Sequence, residues 1–431
     1  MAKPIVVIVG RPNVGKSTLF NRIVGRKAAI VEDTPGVTRD RNYLDAAWDE
    51  KLFTVVDTGG FYPRHDDNIF AQIKEQALFA IEEADIIVHL LDAKDGLNPY
   101  DYDLAEVVRA SGKPVLSVVN KIDSPERERL MADFYPLGAD AIMPVSATSG
   151  HGFDEFMDRL AEHLPVYAEA SSEYPLVAIV GRPNVGKSTI VNALLGKQRL
   201  LVSPVPGTTR DPIDSLCSYY KRKYVLIDTA GIRRKDRHGY SIERFAMVRT
   251  LQSIERADVC VVLLDAAQGV IAEDQKIAGL VNENGKGAVF LLNKWDLVED
   301  PDQRLKDLRA QIERRIWFFA HAPILTTSGI ERKRITKVFP LIDTVMAQRT
   351  RHIPTPELNR FLEGVPRPSY RGKAVKFFYI TQTGTAPPRF TIFTSRAEGI
   401  PESIIRNIES RLREAFGFDG TPVRVRIRQR T

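Results

Sequence analysis

The sequence predicts a duplicated α/β domain, each copy a mostly parallel sheet flanked by helices, followed by a small basic α+β domain. Three observations lead there. The string Val9-Gly10-Arg11-Pro12-Asn13-Val14-Gly15-Lys16-Ser17-Thr18 recurs unchanged from Val180 to Thr189, 171 residues further on. In the first copy, apolar β-branched runs at Pro4 to Val9, Phe53 to Val56, Ile86 to Leu91 and Val115 to Val119 alternate with helical segments, the pattern of a parallel sheet with crossover helices. Residues 352–431 hold 14 Lys+Arg against 7 Asp+Glu, so the basic excess of the chain sits entirely in its last 80 residues.

A length of 431 residues is too great for one core and fits two to four domains of about 100–200 residues. The expected boundaries are a first domain at 1–165, a linker at 166–175 around Ser171-Ser172-Glu173, a second domain at 176–350 and a basic domain at 351–431, entered through His352-Ile353-Pro354-Thr355-Pro356. Cys217 and Cys260, with neither CxxC spacing nor a His cluster near them, imply no disulfide framework or zinc site. A reducing cytoplasm is the expected compartment. The N-terminal apolar segment is too short for a signal peptide, and no stretch approaches the ~18 apolar residues of a membrane span.

The duplicated string satisfies GxxxxGK[ST] twice, as Gly10 to Ser17 and as Gly181-Arg182-Pro183-Asn184-Val185-Gly186-Lys187-Ser188. A glycine-rich turn at a helix N-terminus aims backbone N–H groups at phosphate; Lys16 and Lys187 are expected at the β- and γ-phosphates, and the hydroxyls of Ser17 and Ser188 on Mg²⁺. Pro35-Gly36-Val37-Thr38-Arg39-Asp40 and Pro206-Gly207-Thr208-Thr209-Arg210-Asp211 keep the same offset, and place Thr38 and Thr209 where a switch segment closes a hydroxyl onto the metal. So do Asp57-Thr58-Gly59-Gly60 and Asp228-Thr229-Ala230-Gly231: each Asp ends a strand as a water-mediated Mg²⁺ ligand, and the N–H of Gly60 or Gly231 faces the γ-phosphate.

Asn120-Lys121-Ile122-Asp123 and Asn293-Lys294-Trp295-Asp296, 173 residues apart, choose the base. A carboxylate there accepts both the ring N–H and the exocyclic amine of guanine, a pair that adenine does not offer, so GTP and GDP are expected over ATP. Ser146-Ala147-Thr148, after the strand Ala141 to Val145, would turn backbone N–H groups to the guanine O6. Its counterpart is Thr327-Ser328-Gly329, where Ser328 sits at a drifted offset and a plain loop is an equal reading.

With these motifs in place, the chain resembles the Der family, also called EngA, of bacterial tandem GTPases. The stretch from Leu358-Asn359 through Gly420-Thr421-Pro422 is similar to that family's KH-like C-terminal domain. The resemblance covers nearly the whole chain and implies two Era-like GTPase domains in a cytoplasmic GTP-hydrolysing switch. It further implies a role in assembling the large (50S) ribosomal subunit, through binding of rRNA and precursor particles. Neither membrane nor DNA is an expected partner, and a monomer is expected. Phe61 and Ile232 stand where Ras-like proteins carry a water-orienting glutamine, so no general base is assigned. In related GTPases a P-loop Asn helps hold K⁺ beside the phosphates. Asn13 and Asn184 match it and join Lys16, Thr38, Lys187 and Thr209 as the groups expected to act on the transition state.

The tail ends in Val423-Arg424-Val425-Arg426-Ile427-Arg428-Gln429-Arg430, a period-two alternation with the arginines on one face. These, with Arg406, Arg411 and Arg413, read either as phosphate contacts to RNA or as a charged edge strand. Gly417-Phe418-Asp419-Gly420 has GxxG spacing but falls between helix and strand, and reads as a turn. Arg233-Arg234-Lys235-Asp236-Arg237 lies in the second copy's switch region, as a contact site or a solvated loop. The rival to a hydrolysing switch is an RNA-binding scaffold that holds guanine nucleotide with negligible turnover.

Overall fold

The computed structural model describes residues 3–25, 43–49, 51–58, 78, 80–82, 84–138, 141–164, 172–196, 214–229, 243–367, 369–370, 373–396 and 400–429. The chain divides into two compact units, Met1–Glu169 with His238–Arg249, and Ala170–Arg237 with Thr250–Thr431.

The first copy runs β1 (Ile5–Val9), α1 (Lys16–Gly25), β2 (Tyr43–Trp48), β3 (Lys51–Asp57), β4 (Ile86–Asp92), α2 (Pro99–Ala110), β5 (Val115–Asn120), 3-10 turns over Pro125–Leu137, β6 (Ile142–Pro144) and α3 (Phe153–His163). Its sheet has the order β2-β3-β1-β4-β5-β6, with β2 and β3 antiparallel and every other pair parallel. A parallel strand with helices on both sides has no solvent face, so β4 is buried at every position, including His89 and Asp92. Val6, Ile8, Val88 and Leu90 meet Leu19 of α1 and Phe156 and Leu160 of α3, whereas Val7, Val9 and Ile87 meet Leu104 and Val108 of α2. With β3 on one side of β1 and β4 on the other, the crevice opens at the carboxyl end of β1, where the glycine loop begins.

The second copy repeats this with β7 (Leu176–Val180), α4 (Lys187–Leu195), β8 (Ser215–Tyr219), β9 (Arg222–Ile227), α5 (Glu243–Arg256), β10 (Val259–Asp265), α6 (Ala272–Glu283), β11 (Gly287–Asn293), α7 (Pro301–Arg315), β12 (Ile324–Thr326) and α8 (Val338–Arg349). The sheet order β8-β9-β7-β10-β11-β12 is that of the first copy, and β10 and β11 are wholly buried.

The C-terminal part adds α9 (Thr355–Glu363), a short ladder of β13 (Ser369–Tyr370) with β14 (Lys373–Ala374), then β15 (Phe377–Gly384), β16 (Arg389–Thr394), α10 (Glu402–Phe416) and β17 (Arg424–Gln429). β16 is central, antiparallel to β15 and parallel to β17. Leu358 and Leu362 of α9 and Ile408 and Leu412 of α10 pack with Ile380, Ile392 and Val425, so both helices cover the same face of the sheet.

This part is joined to the second α/β copy within one unit. Arg349, almost fully buried, donates to the carbonyls of Gly285 and Ala386, and Phe418 N–H donates to Gln348 Oε1 at 3.0 Å. The alternation expected of the tail holds along β17, but the arginines differ in exposure and partners. Arg424 donates to the Asn282 carbonyl of α6. Arg413 turns inward to the carbonyls of Phe418 and Thr421 and to His321. Arg411 caps Gly364, and Arg406 pairs with Glu402 over the ring of Trp317. Arg426 and Arg428 remain exposed, while Arg430 lies outside the described residues. Gly417 and Gly420 both have positive φ, 84° and 69°, and the GxxG is the turn that carries the chain from α10 to β17.

Candidate nucleotide-binding sites

In the first copy the glycine loop and the Asn120-Lys121-Ile122-Asp123 motif are physically tied. Asn120, at the end of β5, donates from Nδ2 to the Val14 carbonyl at 2.7 Å and accepts at Oδ1 from the Ala147 N–H at 2.9 Å. One buried amide therefore holds the P-loop and the Ser146-Ala147 loop at a fixed separation. It also explains Gly15: with φ at +97°, a Cβ there would lie 2.3 Å from Asn120 Nδ2, so the close crossing admits only glycine.

Ser17 Oγ donates to Asp57 Oδ2 at 2.6 Å, bringing together a hydroxyl and a carboxylate whose hard oxygens suit Mg²⁺. Thr58 steadies the end of β3 through a 2.7 Å bond to the Ile8 carbonyl. Lys16 is buried, and its Nζ donates to the Gly10 and Arg11 carbonyls at 2.8 and 2.7 Å. Burial pulls its pKa down to about 8, against the opposing pull of Asp57. Pro12 and Asn13 form the exposed tip of the loop, with Asn13 in the left-handed region at φ 65°.

Lys121, also left-handed at φ 71°, pairs with the buried Asp92 at the end of β4. Ile122 is fully buried and anchors the motif through its N–H to the Val145 carbonyl at 3.3 Å. The Asp123 carboxylate stays exposed, with Arg127 at 3.1 Å. Ser146 Oγ accepts from the Ser149 N–H at 3.1 Å, shaping the loop.

The second site repeats the tether. Asn293 donates to the Val185 carbonyl at 2.8 Å and accepts from the Gly329 N–H at 3.1 Å, and a Cβ on Gly186 would lie 2.3 Å from its Nδ2. This places Ser328-Gly329 where Ser146-Ala147 stands in the first copy, and Ser328 Oγ accepts from Glu331 N–H at 3.1 Å as Ser146 does from Ser149. Trp295 N–H reaches the Thr327 carbonyl at 3.1 Å, and Lys294 pairs with Asp265 at 2.7 Å, which helps hold that carboxyl below its ordinary pKa. Asp296 is exposed. Lys187 reaches the Gly181 and Arg182 carbonyls, both at 2.7 Å. Pro183 is partly exposed, Asn184 is left-handed at φ 59°, and Ser188 is the second residue of α4, after Lys187. Asp228 has φ 54° and its N–H bonds Asp214, while Thr229 Oγ1 lies 2.7 Å from Ser215 Oγ.

Sequence reasoning missed two acidic pairs. Asp92 and Asp265 orient the motif lysines, and Asp101 and Asp274 meet Arg11 and Arg182 at 3.5 and 3.3 Å. Burial raises the pKa of both latter carboxyls against the opposing pull of their arginines. Each pair is separated by 173 residues, the offset of Asn120 and Asn293, so extending the repeat comparison beyond the motifs would have found them. Thr38, Thr209, Gly59, Gly60, Phe61, Ala230, Gly231, Ile232 and the 233–237 segment lie outside the described residues.

Comparison with known proteins completes the picture. A family model described as "50S ribosome-binding GTPase" matches residues 5–121 and 176–294, and one described as "KH-domain-like of EngA bacterial GTPase enzymes, C-terminal" matches 352–428. GTPase Der of Thermodesulfovibrio yellowstonii is 48% identical over 99% of this chain and 99% of its own. The chain belongs to the Der family. Der proteins of Moorella thermoacetica and Geotalea uraniireducens are 46% and 44% identical, each over 98% or more of both chains. Among solved structures, Era with MgGDPNP and nucleotides 1506–1542 of 16S ribosomal RNA covers 79% of this chain and 99% of its own at 19% identity and a TM-score of 0.32, a likeness that carries no argument. As a Der-family member the chain is a GTP hydrolase with two GTPase domains. Among the described residues no helix is long and apolar enough to cross a membrane.

Proposed function

We propose that this GTPase is a nucleotide-controlled switch in assembly of the large (50S) ribosomal subunit, and that its guanine-nucleotide state sets domain packing and hence binding to rRNA and precursor particles. The observation that carries the reading is the duplicated tether of Asn120 and Asn293. In each copy it connects the phosphate loop to the base loop, so that base and phosphates are read by one rigid unit. The description of the matching family model, which names 50S ribosome binding, supports the partner.

In this reading the nucleotide domains span 1–165 and 176–350 and the basic domain 351–431, in a cytoplasmic monomer. Lys16 and Lys187 engage the β- and γ-phosphates, and Asp123 and Asp296 accept the two guanine donors. The Ser146-Ala147-Thr148 loop and the Ser328-Gly329 turn, held by Asn120 and Asn293 through the Ala147 and Gly329 N–H groups, border the base. Ser17, Thr38 and Asp57, and Ser188, Thr209 and Asp228, hold Mg²⁺, which when bound neutralises phosphate charge. The amide oxygens of Asn13 and Asn184, at exposed loop tips, suit a K⁺ ion as activator.

Sedimentation with 30S, 50S and 70S particles under GDP and a non-hydrolysable GTP analogue tests the partner. Nucleotide-dependent association with 50S is expected, and no association in any state removes the ribosomal assignment. Turnover faster in K⁺ than in Na⁺, with that difference lost in Asn13→Ala and Asn184→Ala, is expected for the activating ion.

A further inference from the structure

Tyr379 of β15 and Phe393 of β16 are register partners whose rings stack, with centroids 4.4 Å apart and planes 16° from parallel. Neither ring belongs to the core. The helices α9 and α10 cover the opposite face through Ile380, Ile392 and Val425, and both rings are partly exposed. Across β16 the parallel register sets Arg428 beside Phe393 and Arg426 beside Thr391, and both arginines are exposed. The row Tyr379, Phe393, Arg428 thus crosses three strands as two flat rings and a guanidinium, next to Phe378 at the bulge, which is 44% exposed.

We propose that this open sheet face is a stacking platform for unpaired RNA bases, with Tyr379 and Phe393 taking base faces and Arg428 and Arg426 the adjoining phosphates. Aromatic surface beside arginine is the chemistry of single-strand binding, because every unpaired base offers a π-face and a duplex hides it. The charge is complementary to the occupant, since residues 352–431 carry the chain's basic excess. Arg424 donates to the Asn282 carbonyl of α6, and the exposed positive charge of β17 lies at Arg426 and Arg428. The choice of RNA over DNA rests on the ribosomal reading above.

The test is fluorescence anisotropy of the full chain with a labelled single-stranded RNA of about 12 nucleotides and with its duplex, at several salt concentrations. A double variant Tyr379→Val, Phe393→Val keeps β-forming side chains, and its thermal midpoint reports whether the sheet is intact. Preference for the single strand, weakened roughly tenfold or more in the folded double variant, is the expected result. Arg428→Gln is expected to lower the salt slope by about 0.7, one phosphate contact on a single strand. Equal affinity of wild type and double variant for the single strand overturns the proposal. So does weakened 50S sedimentation in the double variant with single-strand binding unchanged, which marks the rings as a protein-binding patch. Ring-dependent single-strand binding by a protein that sediments with no ribosomal particle keeps the platform and removes the ribosomal reading instead.

Discussion

The N–H of Ala288, near the start of β11, donates to the carbonyl of Gly420 at 2.7 Å. β11 ends at Asn293, the residue that ties the second P-loop to the Ser328-Gly329 turn. The strand that carries this tether at one end therefore receives the C-terminal part at the other.

Gly420→Ala is expected to loosen that joint. Gly420 has φ +69°, and an added Cβ would lie 2.5 Å from Val345 Cγ2 and 2.8 Å from the Ala288 carbonyl. Left-handed strain and overpacking together cost about 2–4 kcal/mol. Urea unfolding of the full chain measures it, and a change under about 0.5 kcal/mol would show that the contact is slack.

Nucleotide binding at the first site is expected to weaken as pH rises above about 8, where the Lys16 ammonium of the empty site is lost. Binding to phosphate then requires proton uptake, and affinity falls by up to about tenfold per pH unit. Calorimetry at pH 9 in two buffers of different ionisation enthalpy should detect the proton. In the nucleotide-free protein, the unfolded chain holds more protons than the folded one between about 8 and 10.5, so this lysine makes the fold more stable as pH rises through that window.

Asp296→Ala is expected to erase the preference of the second site for GTP over ATP while leaving the fold intact, because this exposed carboxylate is the proposed acceptor of both guanine donors. Competition between the two nucleotides, in a chain whose first site is disabled by Lys16→Ala, measures it. Undiminished discrimination would move base selection elsewhere.

His321 accepts from Arg413, which cannot give up its proton, so the imidazole in this fold is neutral; burial, then Arg413, lowers its pKa to about 3. From the unfolded value of about 6.5 down to 3 the unfolded chain binds a proton that the folded one refuses. Stability contributed here is present above pH 6.5 and is lost as pH falls, by up to about 1.4 kcal/mol per pH unit. His321→Gln keeps an acceptor that does not titrate. Urea midpoints followed from pH 7.5 to 4.5 should fall less steeply in the variant, and parallel slopes would acquit this histidine.

Much of the site was legible because nucleotide chemistry demands particular residue types at strand ends. Lys16, Asp57 and Asn120 could be found without coordinates, and their second copies made chance an untenable reading. The Ser328 loop was left open because its spacing from Asn293 differs from the first copy's. The bond from Gly329 N–H to Asn293 Oδ1 identified it, since that contact depends on distance in space and not along the chain.

The sequence by itself determined the duplicated α/β fold, the phosphate and base motifs and the location of the positive charge, all of which are written in local spacing and residue chemistry. It could not say which arginines face solvent. A period-two pattern shows that Arg424, Arg426 and Arg428 share one face of a strand, but only the tertiary structure brings the Asn282 carbonyl of α6 to Arg424 while Arg426 and Arg428 stay exposed. The same holds for Arg413, on a helix whose polar positions look alike until His321 and the Gly417–Gly420 turn close over one of them. Side-chain burial is settled by contacts between segments 92 to 142 residues apart, and tertiary structure alone decides those.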